Sequence, residues 1–209
     1  MPPKLSLSPR KPPVQRRSQE TLKVIHEASI QVLLSHGIHG LTTTRVAERA
    51  GVSVGSVYQY YPNKQAMLAA VLQQHLEDVI GQMEAVCRSH RARTAAEMAH
   101  ALVNAFIDAK MARSDVSQAL YAIPSDQGRD AVTATMTQRA QLAICDLLAS
   151  CTDRRFQDPS LVSFVLTTSL IGPAQVLVTT LPPLVQREAI KKQLGLMAQS
   201  YLERAGQKV

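Results

Sequence analysis

The side chains best suited to chemistry cluster in Leu41–Lys64, LTTTRVAERAGVSVGSVYQYYPNK. Hydroxyls, an amide and cations alternate there with small residues, a mixture that hydrogen-bonds phosphates and base edges. An enzyme instead needs a nucleophile, a base and an orienting group converging on one point, or a metal cluster. The six histidines (His26, His36, His39, His75, His90 and His100) form no HExxH, and the acids beyond residue 66 alternate with Lys and Arg as on solvated helix faces. No catalytic residue, metal site or cofactor is therefore expected. Cys87, Cys145 and Cys151 make neither an even disulfide framework nor a CxxC pair, and no secretory signal precedes them. They read as reduced core thiols of a cytoplasmic protein, with a redox sensor at Cys145 and Cys151 as the alternative.

Charge points to the same end of the chain. The formal net charge is +7, and residues 1–66 hold nine Lys/Arg against three acids, while the remainder is nearly balanced. That distribution suits a polyanion-binding head on a neutral body.

The spacing inside the segment fits a helix-turn-helix, in which two short helices cross around a tight turn and the second enters the major groove. The crossing needs a small residue on the first helix, which Ala47 supplies. Four positions on, the turn needs a residue free to take a positive φ, and Gly51 fits. Six further on, Val57 packs back beneath the first helix, with Val46, Ala50 and Val52 completing the buried side. Thr43, Thr44, Arg45, Ser53, Val54, Gly55, Ser56, Tyr58, Gln59 and Tyr60 are left outward. Among these, the Gln59 amide can bond adenine bidentately, the Ser56 hydroxyl can serve either strand, and Val54 can touch a thymine methyl. Gly55 lets the backbone come close to DNA. Tyr61 reads as a core aromatic or a DNA contact, and Arg49 as a phosphate contact or a solvated face residue. Ala, Gly and Val at these intervals also occur in ordinary helical hairpins, so the local charge and the aromatic-rich outer face carry the argument with them.

The elements that must hold this segment are helices. At 209 residues with 45% hydrophobic and 19% charged residues, the chain can bury a core, and a disordered or collagen-like protein is excluded. Residues 1–17 hold five prolines, five basic residues and no acid, which predicts a disordered basic arm: a phosphate-tracking or minor-groove arm, or a solvated tail. Periodicity predicts about nine helices. The first runs from Ser18 to a stop at Gly37, the second from the Thr42–Thr44 cap to Ala50, the third from the Ser53 cap to Tyr60 or Tyr61, and the fourth from Lys64 to about Cys87. The others span about Thr94–Ala112, Val116–Ala122 (ending at Pro124), Gly128–Ser150, Asp158–Thr180 and Leu184–Arg204, with no strand alternation. From Pro159 to Gln186 no residue is charged, a run long enough for a bilayer crossing of about 20 residues. Its polar residues, and its Gly172-Pro173 and Pro182-Pro183 interruptions, favour instead a helix buried on one side by its own core and on the other by a second subunit. No membrane is expected. Met98, Phe106, Met111, Tyr121, Met136, Phe164 and Thr168 are candidates for lining an interhelical pocket, though at helical spacing each reads first as plain core.

Ala47–Tyr61, AERAGVSVGSVYQYY, with threonines before it and Lys64 three residues after, resembles the DNA-binding signature of the tetracycline-repressor (TetR-like) transcription regulators, AxxAGVSxGxxYxYF. Tyr61 stands where phenylalanine is usual. The likeness covers about residues 20–70. It implies an all-α fold, with a three-helix DNA-binding head over 18–65 and a larger helical body over 66–209. That body would dimerise through its last two helices (about 159–205) and hold a small-molecule effector. It places Thr43 and Thr44 at the groove edge, Arg45 beside the backbone, the Tyr58 and Tyr60 hydroxyls on phosphates and the Lys64 charge at the start of the fourth helix. The function implied is a homodimeric repressor released from a palindromic double-stranded operator by its effector. The alternatives are an activator of the same architecture or a non-specific architectural nucleic-acid-binding protein.

Overall fold

The computed structural model describes residues 16–123 and 129–209. The expected basic arm lies outside them except for Arg16 and Arg17, which open the first helix two residues earlier than the periodicity suggests. The expected stop at Pro124 and start at Gly128 also lie outside.

Among the described residues the chain forms nine helices, each where its punctuation dictates. Helix α1 spans Arg16–Gly40, with Gly37 leaving helical geometry (φ +66°, ψ −178°) three residues before its end. Helix α2, Thr43–Ala50, is capped by Thr42, whose Oγ1 accepts the Arg45 N–H at 3.2 Å. Helix α3, Val54–Tyr60, follows its Ser53 cap, and α4, Lys64–Ser89, follows Pro62 and Asn63, whose Oδ1 accepts the Ala66 N–H at 2.8 Å. A capping box, Thr94 with Glu97, opens α5 (Ala95–Ala112). Helices α6 (Ser114–Tyr121) and α7 (Arg129–Leu148) come next. Asp158 and Pro159 start α8, Pro159–Thr180, which runs on through Pro173 and ends before Pro182-Pro183. Helix α9, Leu184–Ala205, is the last. One feature has no sequence signal: Arg154–Arg155 (β1) pairs antiparallel with Gln207–Lys208 (β2), and two residues are too few to show a period.

The chain forms two compact units. The first takes the described residues up to His75 with those of Ala119–Thr133, and its core includes Ile25 and Leu33 of α1, Val46 of α2 and Val57 of α3. The second takes Leu76–Gln118 and Ala134–Val209. Its core joins Met98 and Leu102 of α5, Ile144 and Leu147 of α7, Leu166 and Leu170 of α8, and Ala198 and Leu202 of α9. Along the α5–α9 seam a Cβ at Gly195 would stand 2.5 Å from the His100 ring, so glycine lets the helices close. His100 donates from Nε2 to Gln199 Oε1 at 2.9 Å, and Lys191 pairs with Asp108 at 2.9 Å. Helix α8 is long and apolar enough by composition to cross a membrane, yet Val162, Leu166, Leu170, Ala174 and Leu177 form a stripe packed within the unit.

Lys110, near the end of α5, was not singled out by sequence, yet it is only 8% exposed. Burial holds its amine down to about 8, from an ordinary 10.5. Below pH 8 both folded and unfolded chains carry the proton, so folding bears a constant penalty. Between 8 and 10.5 the unfolded chain binds more protons, so this group makes stability rise with pH. Lys110→Met should remove that rise, so that the parent's stability in urea climbs relative to the variant's by up to about 3 kcal/mol between pH 8 and 10.5. A variant with the parent's midpoint and pH profile would place the amine in water.

Candidate nucleic-acid interface

The geometry of α2 and α3 rests on one backbone reversal. Gly51 takes the left-handed conformation (φ +66°, ψ +31°), where its N–H reaches Glu48 O at 3.2 Å and the Val52 N–H reaches Ala47 O at 3.0 Å. The last turn of α2 is thereby closed by its own following residues. Ala47 is buried at the crossing and Val57 is wholly buried beneath it, as the spacing requires. Ala50 and Val52 are only half-buried, so the buried side of the motif is narrower than expected. Ser53 starts α3 by accepting the Ser56 N–H at 3.0 Å, and the two hydroxyls lie 2.8 Å apart.

The outward set is largely where the spacing puts it. Thr44, Arg45, Ser53, Gly55, Tyr58 and Gln59 are exposed, and Thr43, Val54, Ser56 and Lys64 are half-exposed. Thr43 Oγ1 donates to the Tyr58 hydroxyl at 3.4 Å, which brings two of the hydroxyls to one edge across α2 and α3. The Gln59 amide makes no hydrogen bond to a described residue. Arg45 folds back, its Nη1 donating to Gly40 O at 2.9 Å at the end of α1. Arg49 is exposed and donates to Gln31 Oε1 of α1.

Tyr60 is the correction. It is 9% exposed, its hydroxyl lies 2.8 Å from Ser18 Oγ and donates to Ser18 O at 3.3 Å, so it ties α3 to α1 instead of pointing outward. Tyr60 follows Val57 by three residues and shares its buried face, a spacing readable in the sequence. Ser18, its partner, carried no signal of its own. Tyr61 is buried as well, and burial pushes its phenol up to about 12, so it remains neutral as a core aromatic. Of the body's pocket candidates, Met98 and Met136 are core, while Phe164, 52% exposed, and Thr168 face outward from α8.

Five of the nine Lys/Arg among residues 1–66 fall within residues 1–17, whose side chains lie outside the described ones. The helices themselves present hydrogen-bonding groups more than net charge. Among the described residues, no group of three His, Cys, Asp or Glu side chains is placed to hold a metal.

Residues 25–71 match the family described as bacterial regulatory proteins, tetR family, and residues 94–202, just over half the chain, match the tetracyclin repressor-like C-terminal domain. The HTH-type transcriptional regulator YvkB of Bacillus subtilis is 38% identical over 55 residues, 26% of this chain and 29% of that protein. The matched stretch thus spans less than a third of that relative. A tetR-family transcriptional regulator from Mesorhizobium loti superposes with a TM-score of 0.74 at 16% identity, covering 92% of this chain and 100% of that one. The fatty acid degradation regulator FadR from Bacillus halodurans gives 0.67 at 19% identity, covering 86% and 94%. At these identities the structures show a shared fold.

The reversal at Gly51 yields a test that separates backbone strain from crowding. An added Cβ there would meet nothing within 4 Å, so any cost is conformational. Gly51→Ala should lose about 1–2 kcal/mol in urea denaturation and Gly51→Asn less, because asparagine enters the left-handed region more readily. Equal stability of all three proteins would mean that the turn does not need a positive φ.

Proposed function

The chain belongs to the tetR family of bacterial regulatory proteins, and from that we propose a sequence-specific DNA-binding transcription regulator, a homodimeric repressor that leaves a palindromic operator when a small-molecule effector binds. The observation that carries the reading is the outer face of α2 and α3, where Thr44, Gly55, Tyr58 and Gln59 stand exposed on a pair of helices fixed by the Gly51 turn. In the major groove, Gln59 and Ser56 would meet base edges and Val54 a thymine methyl, with Gly55 admitting the backbone. Thr43, Thr44 and Tyr58 would hold phosphates, joined by Lys64 and by Arg45 once it leaves the Gly40 carbonyl. Tyr60 supports the face from behind through Ser18.

We assign residues 18–65 to DNA binding and 66–209 to effector binding and dimerisation, in a cytoplasmic protein without catalytic activity. For the dimer, the supporting observation is the apolar edge left open on the last two helices. Leu161, Phe164 and Val176 of α8, and Leu184, Leu196 and Met197 of α9, are all exposed in the single chain. A patch of that kind favours a protein partner, and a two-fold dimer buries the same face of both copies. Inverted-repeat half-sites would mirror that symmetry.

Selection from random duplexes at physiological salt is the test. An inverted repeat should emerge, bound at least about 10³-fold more tightly than random DNA. Binding without a motif, falling only as salt rises, would replace the regulator with a non-specific coating protein. On the selected site, Gln59→Ala should relax preference at one base pair, costing about 1–3 kcal/mol of discrimination, while Tyr58→Phe should weaken operator and random DNA alike. Equal losses on both DNAs for Gln59→Ala would remove it from the readers.

A further inference from the structure

We propose that the cleft between the C-terminal halves of α4 and α7 binds a small monocarboxylate with an apolar body. The site is separate from the DNA-reading face and does not depend on the regulator reading. Its lining lies wholly within the second compact unit and includes none of the pocket candidates read from the sequence.

Facing stripes of the two helices make the cleft. Glu84, Cys87, Arg88 and Arg91 recur at helical spacing along α4 and just past its end, and Arg139, Leu142, Ala143 and Asp146 do so along α7. They line an open groove of about 290 Å³, just under the small end of the range for ligand pockets.

Charge selects the ligand's head. Arg139 donates from Nε and Nη2 to the two carboxylate oxygens of Glu84, and this bidentate pair links the helices. The hydrogen bond from Arg139 holds the Glu84 carboxyl below its usual range, so both members stay charged and neutralise one another. Arg88 and Arg91 are exposed, and neither guanidinium hydrogen-bonds a described residue. Two acids line the cleft with them: Asp146, and Glu84, whose carboxyl feels the Arg88 charge as well as that of Arg139. The lining thus sums to one net positive charge, three guanidinium forks against two carboxylates, an arrangement matched to a single carboxylate.

The apolar side chains select the body. Leu142 is 62% exposed, a large apolar surface left to water beside half-buried Ala143 and buried Leu147. Cys87 completes this wall. Burial, with help from Glu84, pushes its thiol up to about 11, so it stays protonated and offers an apolar surface with no thiolate.

The test titrates the full-length protein, without DNA, with 2-naphthoate and with its uncharged counterpart 2-naphthamide, followed by calorimetry. Naphthoate should bind once per chain, at least about 10-fold more tightly than the amide. The double variant Arg88→Gln/Arg91→Gln should lose that preference. Glu84→Gln deletes an acid and frees Arg139, so it should bind naphthoate more tightly than the parent. Circular dichroism of each variant checks that the helices are kept. Equal affinity for the two compounds, no binding of naphthoate, naphthoate binding untouched in the double variant, or weaker binding in a folded Glu84→Gln would each overturn the site.

Discussion

The outward face of α3 depends on one residue's ability to hold a positive φ. Gly51 reverses the chain between α2 and α3, and its geometry brings the N–H groups of Gly51 and Val52 onto the last carbonyls of α2. Because these carbonyls are satisfied locally, no other side chain has to cap the helix. The direction in which α3 leaves then decides which of its seven residues point inward. Val57 and Tyr60 are inside, while Gly55, Tyr58 and Gln59 are outside. A helix of two turns has too little surface to hold that orientation by its own packing. The Ser53 cap at its start and the Tyr60–Ser18 contact at its end supply the remaining constraint.

The body answers a different problem, which is how to pack a helix with no charge along its length. The inner stripe of α8, from Val162 to Leu177, is covered by its own unit, while Leu161, Phe164 and Val176 remain uncovered on the other side. On α9, Leu194, Ala198 and Leu202 face inward, and Leu196 and Met197 face out. Two helices in succession that each bury one apolar line and expose another leave a large apolar surface to solvent in the single chain.

Helix number, order and most boundaries were legible because they rest on local chemistry. Asp158-Pro159, Pro62-Asn63, Ser53 and Gly51 each act within a few residues of themselves, so the sequence displays them directly. What was not legible depended on distance. Ser18 meets Tyr60 across 42 positions, and β1 meets β2 at the far end of the chain, with no periodicity to mark either partner. Lys110 lies on the α5 core line, but a single lysine in a helical stripe reads as an exposed end until packing shows it buried. The Arg45 bond to Gly40 is similar: the guanidinium was legible as a cation, while its resting place depends on where α1 ends.

Tyr58 and Tyr60 show why residue type alone does not assign a role within such a motif. Both are tyrosines, two positions apart on one short helix, and in a strand they would share a face. In a helix two positions turn the side chain by about 200°, which sends one phenol to solvent and the other against α1. The exposed hydroxyl accepts a long hydrogen bond from Thr43 and otherwise faces solvent. The buried one already bonds Ser18, and to leave it would have to break that bond and move α3 with it. The same short helix therefore divides between groups turned to solvent and groups that hold their neighbours in place, and helical phase, more than chemistry, makes the division.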